Sequence, residues 1–186
     1  MWVAFFSHVA GILLTIFAGG FWTLLLSTLL IGIANGTVEA ACNPLVASLY
    51  PDNKTTKLNH FHLWFPGGLV IGGVIVYFFN INGIGWQAQM ATMLVPAVVY
   101  GILFMGQNFP VTQRVAEGVS NEEMYKSLIS PLFLFMVVCM FGTAITELGT
   151  NQWIAVLLSD VTDNAILLLV FISSIMALGR GFAAPV

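Results

Sequence analysis

The sequence predicts an all-α membrane protein with six transmembrane helices. Three observations predict it. The 186 residues are 59% hydrophobic and only 7% charged, whereas a water-soluble domain carries about a quarter charged residues. The mean hydropathy is +0.95, so polar side chains cannot cover a water-facing surface, and disorder is excluded for the same reason. The few charges gather between apolar runs long enough to cross a bilayer, which takes about twenty residues. The net charge of −3 implies neither a nucleic-acid partner nor an acidic substrate; its bilayer setting governs the reading.

The six spans are Val3–Ala18, Phe21–Ser48, His62–Phe79, Gln89–Met105, Pro131–Leu158 and Ala165–Gly179. Gly19-Gly20 is a minimal turn after the first. The second and fifth are long. At about 1.5 Å per residue each runs roughly 42 Å, past the ~30 Å hydrocarbon core, so each should tilt, bend or protrude. Pro44 supplies a bend in the second. In the third, Pro66-Gly67-Gly68 should loosen the helix. Gly32, Gly36 and Ala40 in the second span, and Gly68 and Gly72 in the third, form small-residue ridges that suit close helix approach. Met1 opens almost directly on an apolar run with no basic segment before it, unlike a cleaved signal peptide.

The connections fix an orientation. Pro51–Asn59 carries Lys54 and Lys57, Gln107–Ser130 carries Arg114 and Lys126, and Arg180 follows the sixth span. Asn80–Gly85 is uncharged, and Ser159–Asn164 carries only Asp160 and Asp163. All five bases therefore fall on one side, which the positive-inside rule makes cytoplasmic, with both chain ends. Trp22 and Trp86 mark outer boundaries and Trp2 and Trp64 inner ones, as an aromatic belt does. Trp153 lies further inside its span, where it either packs or stacks on a ligand. The organisation expected is residues 1–106 as four spans of a first bundle, 107–130 as a cytoplasmic linker and 131–186 as two spans of a second. The linker, with Glu117, Glu122 and Glu123 beside its bases, reads as a solvated connector.

Function shows in the charges that do not belong. Glu39 is the sole charge between Phe21 and Tyr50, and Glu147 the sole charge between Pro131 and Leu158. A carboxylate within a span is expensive and marks a functional site. Each is followed four residues later by an asparagine, Asn43 and Asn151, on the same helix face. Thr28, Asn35, Glu39 and Asn43 form one polar stripe; Thr143, Glu147 and Asn151 form another, with Thr146, Thr150 and Gln152 nearby. Such stripes cannot face lipid and must face protein or a water-filled cavity. One reading is a satisfied polar contact between helices. The other is a carboxyl that takes a proton from one side and releases it to the other. His60 and His62 are two apart, poor spacing for a shared metal on a helix. They read as interfacial histidines, with His62 as an inward proton or solute contact in the alternative. Cys42 and Cys139 read as small buried hydrophobes. Asn35-Gly36-Thr37 and Asn53-Lys54-Thr55 match the glycosylation pattern but fall in a span and on the cytoplasmic side. The chain lacks a phosphate loop, a nucleophile motif and a metal-binding H-E-x-x-H helix. No cofactor or metal is expected, and the chain does not read as an enzyme.

The run Glu39-Ala40-Ala41-Cys42-Asn43-Pro44, within Gly36–Pro51 and followed by Leu58-Asn59, resembles the fourth helix and following loop of the fucose–proton symporter group of the major facilitator superfamily. Gly142, Glu147 and Trp153 are similar to that group's seventh helix, although Gly142 and Glu147 stand wider apart here. Gly179-Arg180 resembles the end of its eighth helix. The resemblance implies that the six spans are helices three to eight of a twelve-helix fold and that 107–130 joins its two halves. It implies proton-coupled symport of a sugar-like small polar solute, with Glu39 in solute binding and coupling. The partner acid on the first helix would then lie before Met1, and the chain would be an internal piece of a bacterial inner-membrane transporter, completed by the missing helices of the same full-length chain. Where the group carries polar residues early in its fifth helix, this chain has His62 and Phe65. The candidate site is therefore Glu39, Asn35, Asn43, His62, Glu147, Asn151 and Trp153. Rival readings from the residues alone are a channel or membrane-embedded receptor, which would show rings of like residues, and an intramembrane enzyme.

Overall fold

A computed structural model describes residues 1–111 and 113–183, and every described segment of regular structure is helical. In chain order the helices are α1 (Trp2–Ile16), α2 (Phe21–Leu49), α3 (Lys54–Ile81, entered through a 3-10 turn at Pro51–Asn53), α4 (Trp86–Thr92) and α5 (Leu94–Phe104). The short α6 (Gln113–Ala116) and α7 (Asn121–Ser127) follow. Then come α8 (Pro131–Ala144), a π-helical turn at Ile145–Gly149, α9 (Thr150–Leu157) and α10 (Ala165–Ala183). Among the described residues, five segments are long and apolar enough to cross a membrane: Phe21–Leu49, Pro51–Ile81, Trp86–Phe104, Pro131–Ile154 and Ala165–Ala183. The first expected span is the shorter apolar helix Trp2–Ile16.

Proline explains several boundaries. Pro131 occupies the first turn of α8, where its missing N–H costs nothing, and Ser130 caps that helix by accepting from the Phe133 amide at 3.3 Å. Between α4 and α5, Pro96 cannot donate to the Thr92 carbonyl four residues back, and the helix is interrupted at Met93. Pro44 and Pro66 behave otherwise: α2 and α3 run through them unbroken. The expected loosening at Pro66 is replaced by a compensating contact described below.

The described residues form two compact units: Met1–Phe61 with Ile75–Pro110, and His62–Val74 with Val111–Ala183. In the first, α1 packs on α2, α4 and α5. Its closest approaches are at Gly11, where a β-carbon would stand 2.7 Å from Ile31 Cγ1 and 3.0 Å from the Ser27 carbonyl, and at Gly101, against the Phe5 ring. In the second, α10 packs on α9, and a β-carbon on Gly73 would meet Val170 Cγ2 at 2.6 Å. The expected ridges lie elsewhere: Gly32, Gly36, Gly68 and Gly72 have no described neighbour within 4 Å of that position. Spacing identifies a small-residue face, but which glycine a partner chooses depends on where that partner crosses.

Large apolar side chains remain on the outside, with Trp22 77% and Phe182 79% exposed. The buried positions are mostly small residues, such as Ala4, Ala34, Ala97 and Ser173. Small residues at helix contacts with large apolar ones outward is the pattern that a lipid solvent favours.

Candidate functional site

In the first unit the Glu39 stripe lies on an unbroken α2. Glu39 and Asn35 are exposed and Asn43 is half-buried. Glu39 makes no hydrogen bond or ion pair among the described residues. Asn43 Oδ1 is buried with no partner among them. Asn35 is held from α1: His8 Nε2 lies 2.8 Å from Asn35 Oδ1. The other ring nitrogen, His8 Nδ1, lies 2.8 Å from the Tyr100 hydroxyl of α5, and the two rings meet edge-on at 5.8 Å. One histidine thus ties three helices together. Sequence reasoning missed it by attending to His60 and His62. The available signal was that His8 is the one ionisable side chain in α1, where such a group needs a partner.

In the second unit Glu147 sits inside the π turn, an arrangement that the expected continuous span Pro131–Leu158 did not contain. Three threonine hydroxyls bond back to the backbone around it. Thr143 Oγ1 donates to the Met140 carbonyl at 3.0 Å, Thr146 Oγ1 to Gly142 at 2.9 Å and Thr150 Oγ1 to Thr146 at 2.8 Å. Hydroxyls that bond back to the ladder compete with its amides and distort it, and single π turns recur at functional sites. The Glu147 Oε1 lies 3.5 Å from Arg180 Nη2. Gly142, Thr143, Thr146, Glu147, Met176 and Arg180 line an open cleft of about 480 Å³.

Arg180 was expected beyond the sixth span. Instead α10 continues to Ala183 and holds Arg180 in its last turn, where a cation suits the helix dipole. Its Nη1 donates to the His62 carbonyl at 2.8 Å. That carbonyl would ordinarily accept from the amide four residues on, but that residue is Pro66, which has no N–H. Pro66 is fully buried. A freed carbonyl away from water costs several kcal/mol if left unpaired, and Arg180 supplies the donor. His62 therefore enters the site through its backbone, with a half-buried side chain, while His60 is exposed. Asn151 is half-buried, and its Nδ2 has no partner among the described residues. Trp153 is 60% exposed.

Among the described residues, the buried side-chain polar atoms without a partner are Asn43 Oδ1, Asn151 Nδ2 and Ser173 Oγ. Two of the three belong to the asparagines that follow the two glutamates. Each such atom costs about 1–3 kcal/mol until something bonds it.

The helices and their outward apolar surfaces define an integral, all-helical membrane protein. Over 97 residues the chain is 30% identical to a D-xylose transporter of Levilactobacillus brevis. The matched stretch is 52% of this chain and 21% of that protein, so the chain spans about a fifth of the length of the curated relative it matches. No family model matches the chain, and no solved structure is significantly similar to it.

Proposed function

We propose that this chain belongs to a secondary active transporter that moves a sugar, or a similar small polar solute, together with protons by alternating access. On this reading it is part of a major facilitator of the fucose–proton symporter type. The six apolar helices take the places of helices three to eight, residues 1–106 and 131–186 contribute to opposite halves, and 107–130 joins them on the cytoplasmic side of a bacterial inner membrane. The similarity to a D-xylose transporter supports a sugar as the solute.

The observation that carries the reading is that each half holds one intramembrane carboxylate followed by an asparagine with an unbonded buried polar atom. A sugar hydroxyl both donates and accepts, so it can complete an amide oxygen such as that of Asn43 or an amide N–H such as that of Asn151. Glu39, with no cation beside it among the described residues, is the group a proton would neutralise. Glu147, beside Arg180, carries the second polar stripe, with Asn151 and Trp153 as solute contacts. His62 contributes its carbonyl through Arg180.

Proteoliposomes containing the full-length protein, under an imposed pH gradient, test the assignment. Glu39→Gln is expected to reduce uphill sugar uptake about tenfold or more, equivalent to ~1.4 kcal/mol of lost coupling, and to flatten its dependence on pH. Uphill uptake and pH dependence that both match the wild type reject it.

A further inference from the structure

We infer that His8 is a positioning residue for solute recognition: it holds the Asn35 carboxamide by its oxygen and so presents the amide N–H2 group beside Glu39. This rests on the transporter reading and adds to it a hydrogen-bond polarity that the polar stripe alone does not supply.

A neutral imidazole has one N–H donor and one acceptor nitrogen. His8 uses both, at 2.8 Å each, on Tyr100 and Asn35. If Nδ1 carried the proton, it would donate to the Tyr100 oxygen, and the phenolic proton would have no acceptor among the described residues. If Tyr100 donates to Nδ1, every proton is used, and Nε2 carries the ring proton. An Nε2–H can only meet an acceptor, so Asn35 must turn its carbonyl oxygen inward. The hydrogen bond made by one ring nitrogen thus sets the role of the other.

The consequence reaches the α2 face. With Oδ1 occupied, Asn35 has its N–H2 group to offer, and its side chain is exposed. Glu39 is four residues on, on the same face, and an ionised carboxylate only accepts. A donor and an acceptor side by side match neighbouring hydroxyls of a polyhydroxylated solute, each of which can accept from one and donate to the other. A free Asn35 could rotate and present a second acceptor beside Glu39, which matches such a solute less well. His8 reaches the solute through Asn35 and acts by fixing that choice.

Equilibrium binding of labelled D-xylose, L-fucose and D-glucose to the purified full-length protein provides the test. His8→Phe is expected to weaken binding of the accepted sugar about three- to tenfold, the size of one net hydrogen bond. His8→Gln, whose amide N–H can meet Asn35 Oδ1, is expected to recover most of the loss. Asn35→Asp keeps an oxygen for His8 but has no N–H, and should bind as weakly as Asn35→Ala. Nitrogen NMR of the labelled His8 ring in the same protein should find the proton on Nε2. Unchanged affinity in His8→Phe, wild-type affinity in Asn35→Asp or a proton on Nδ1 each overturns the inference. If His8→Phe does not fold, the Asn35 pair and the NMR spectrum still decide. Failure of the coupling reading would show separately, as unaltered uphill uptake in Glu39→Gln.

Discussion

Glu39 and Glu147 stand in the same sequence pattern, a carboxylate and an asparagine four residues apart in an apolar span, yet they occupy different physical settings. Glu39 rides a regular helix without a described partner, and its stripe is organised by a neutral network of His8, Asn35 and Tyr100. Glu147 sits in a π turn with a guanidinium 3.5 Å away. The contrast teaches that spacing places an acid on a face, whereas the neighbouring helix decides whether it meets a dipole or a charge. A carboxylate beside dipoles can be neutralised by a proton without stranding a cation. Protonating a carboxylate beside an arginine leaves that arginine without its counter-charge.

The largest expected effect therefore separates the two acids. Glu39→Gln should uncouple uptake as described above, whereas Glu147→Gln should cost less uphill accumulation. The reverse order, measured in the same proteoliposomes, would invert the comparison. Next is Arg180→Leu, which strands Glu147 and the His62 carbonyl together. Removing one partner of a fully buried pair costs ~3–5 kcal/mol. Here the two side chains remain about a third exposed, so we expect about 1–3 kcal/mol after allowing for screening. Thermal unfolding in detergent should show the loss, and adding Glu147→Gln should recover part of it. Full recovery would mean that the His62 carbonyl contributes nothing.

Packing gives a third, smaller contrast. Gly11→Ala drives a β-carbon into Ile31 and close to the Ser27 carbonyl and should destabilise by about 1–3 kcal/mol. Gly32→Ala, in the open by the same measure, should leave the unfolding temperature unchanged. Equal losses in the two variants would restore the ridge expected from spacing.

The smallest effect lies outside the membrane. In α7 the Ser120 amide and hydroxyl each lie 3.0 Å from Glu123 Oε2. The Ser120 backbone bond, then its hydroxyl, hold the Glu123 carboxyl below the usual carboxylate range. A depressed carboxyl stabilises the helix above its unfolded pKa. That contribution is lost as pH falls through the folded one. Protection of the 121–127 amides, corrected for intrinsic exchange, should therefore fall at acid pH; Ser120→Ala, which keeps the backbone donor, should weaken that dependence, and Glu123→Gln should remove it.

Much was legible because a bilayer leaves few choices. The all-helical class and the helix locations followed from apolar length, since only internally bonded backbone survives in lipid. The observed bounds of α2 and α10 lie within a few residues of the reading. Pro66 could have revealed more: it frees the His62 carbonyl, and a freed carbonyl in a span calls for a donor. Which side chain answers Pro66 was not legible, because Arg180 is 118 residues from His62, whose carbonyl it meets. His8 escaped for the same reason, as its partners lie 27 and 92 residues off.

By itself the sequence determined the solvent, the helical class and the costly groups, all of which depend on local composition and on what unpaired polar atoms cost in lipid. Only the tertiary structure decided how those groups are satisfied: a histidine between two helices, an arginine on a proline-freed carbonyl, and Gly11 rather than Gly32 at a close crossing. Hydrogen bonds and close contacts are short-ranged, so their partners are fixed by how the helices cross, and that is a property of the packed chain.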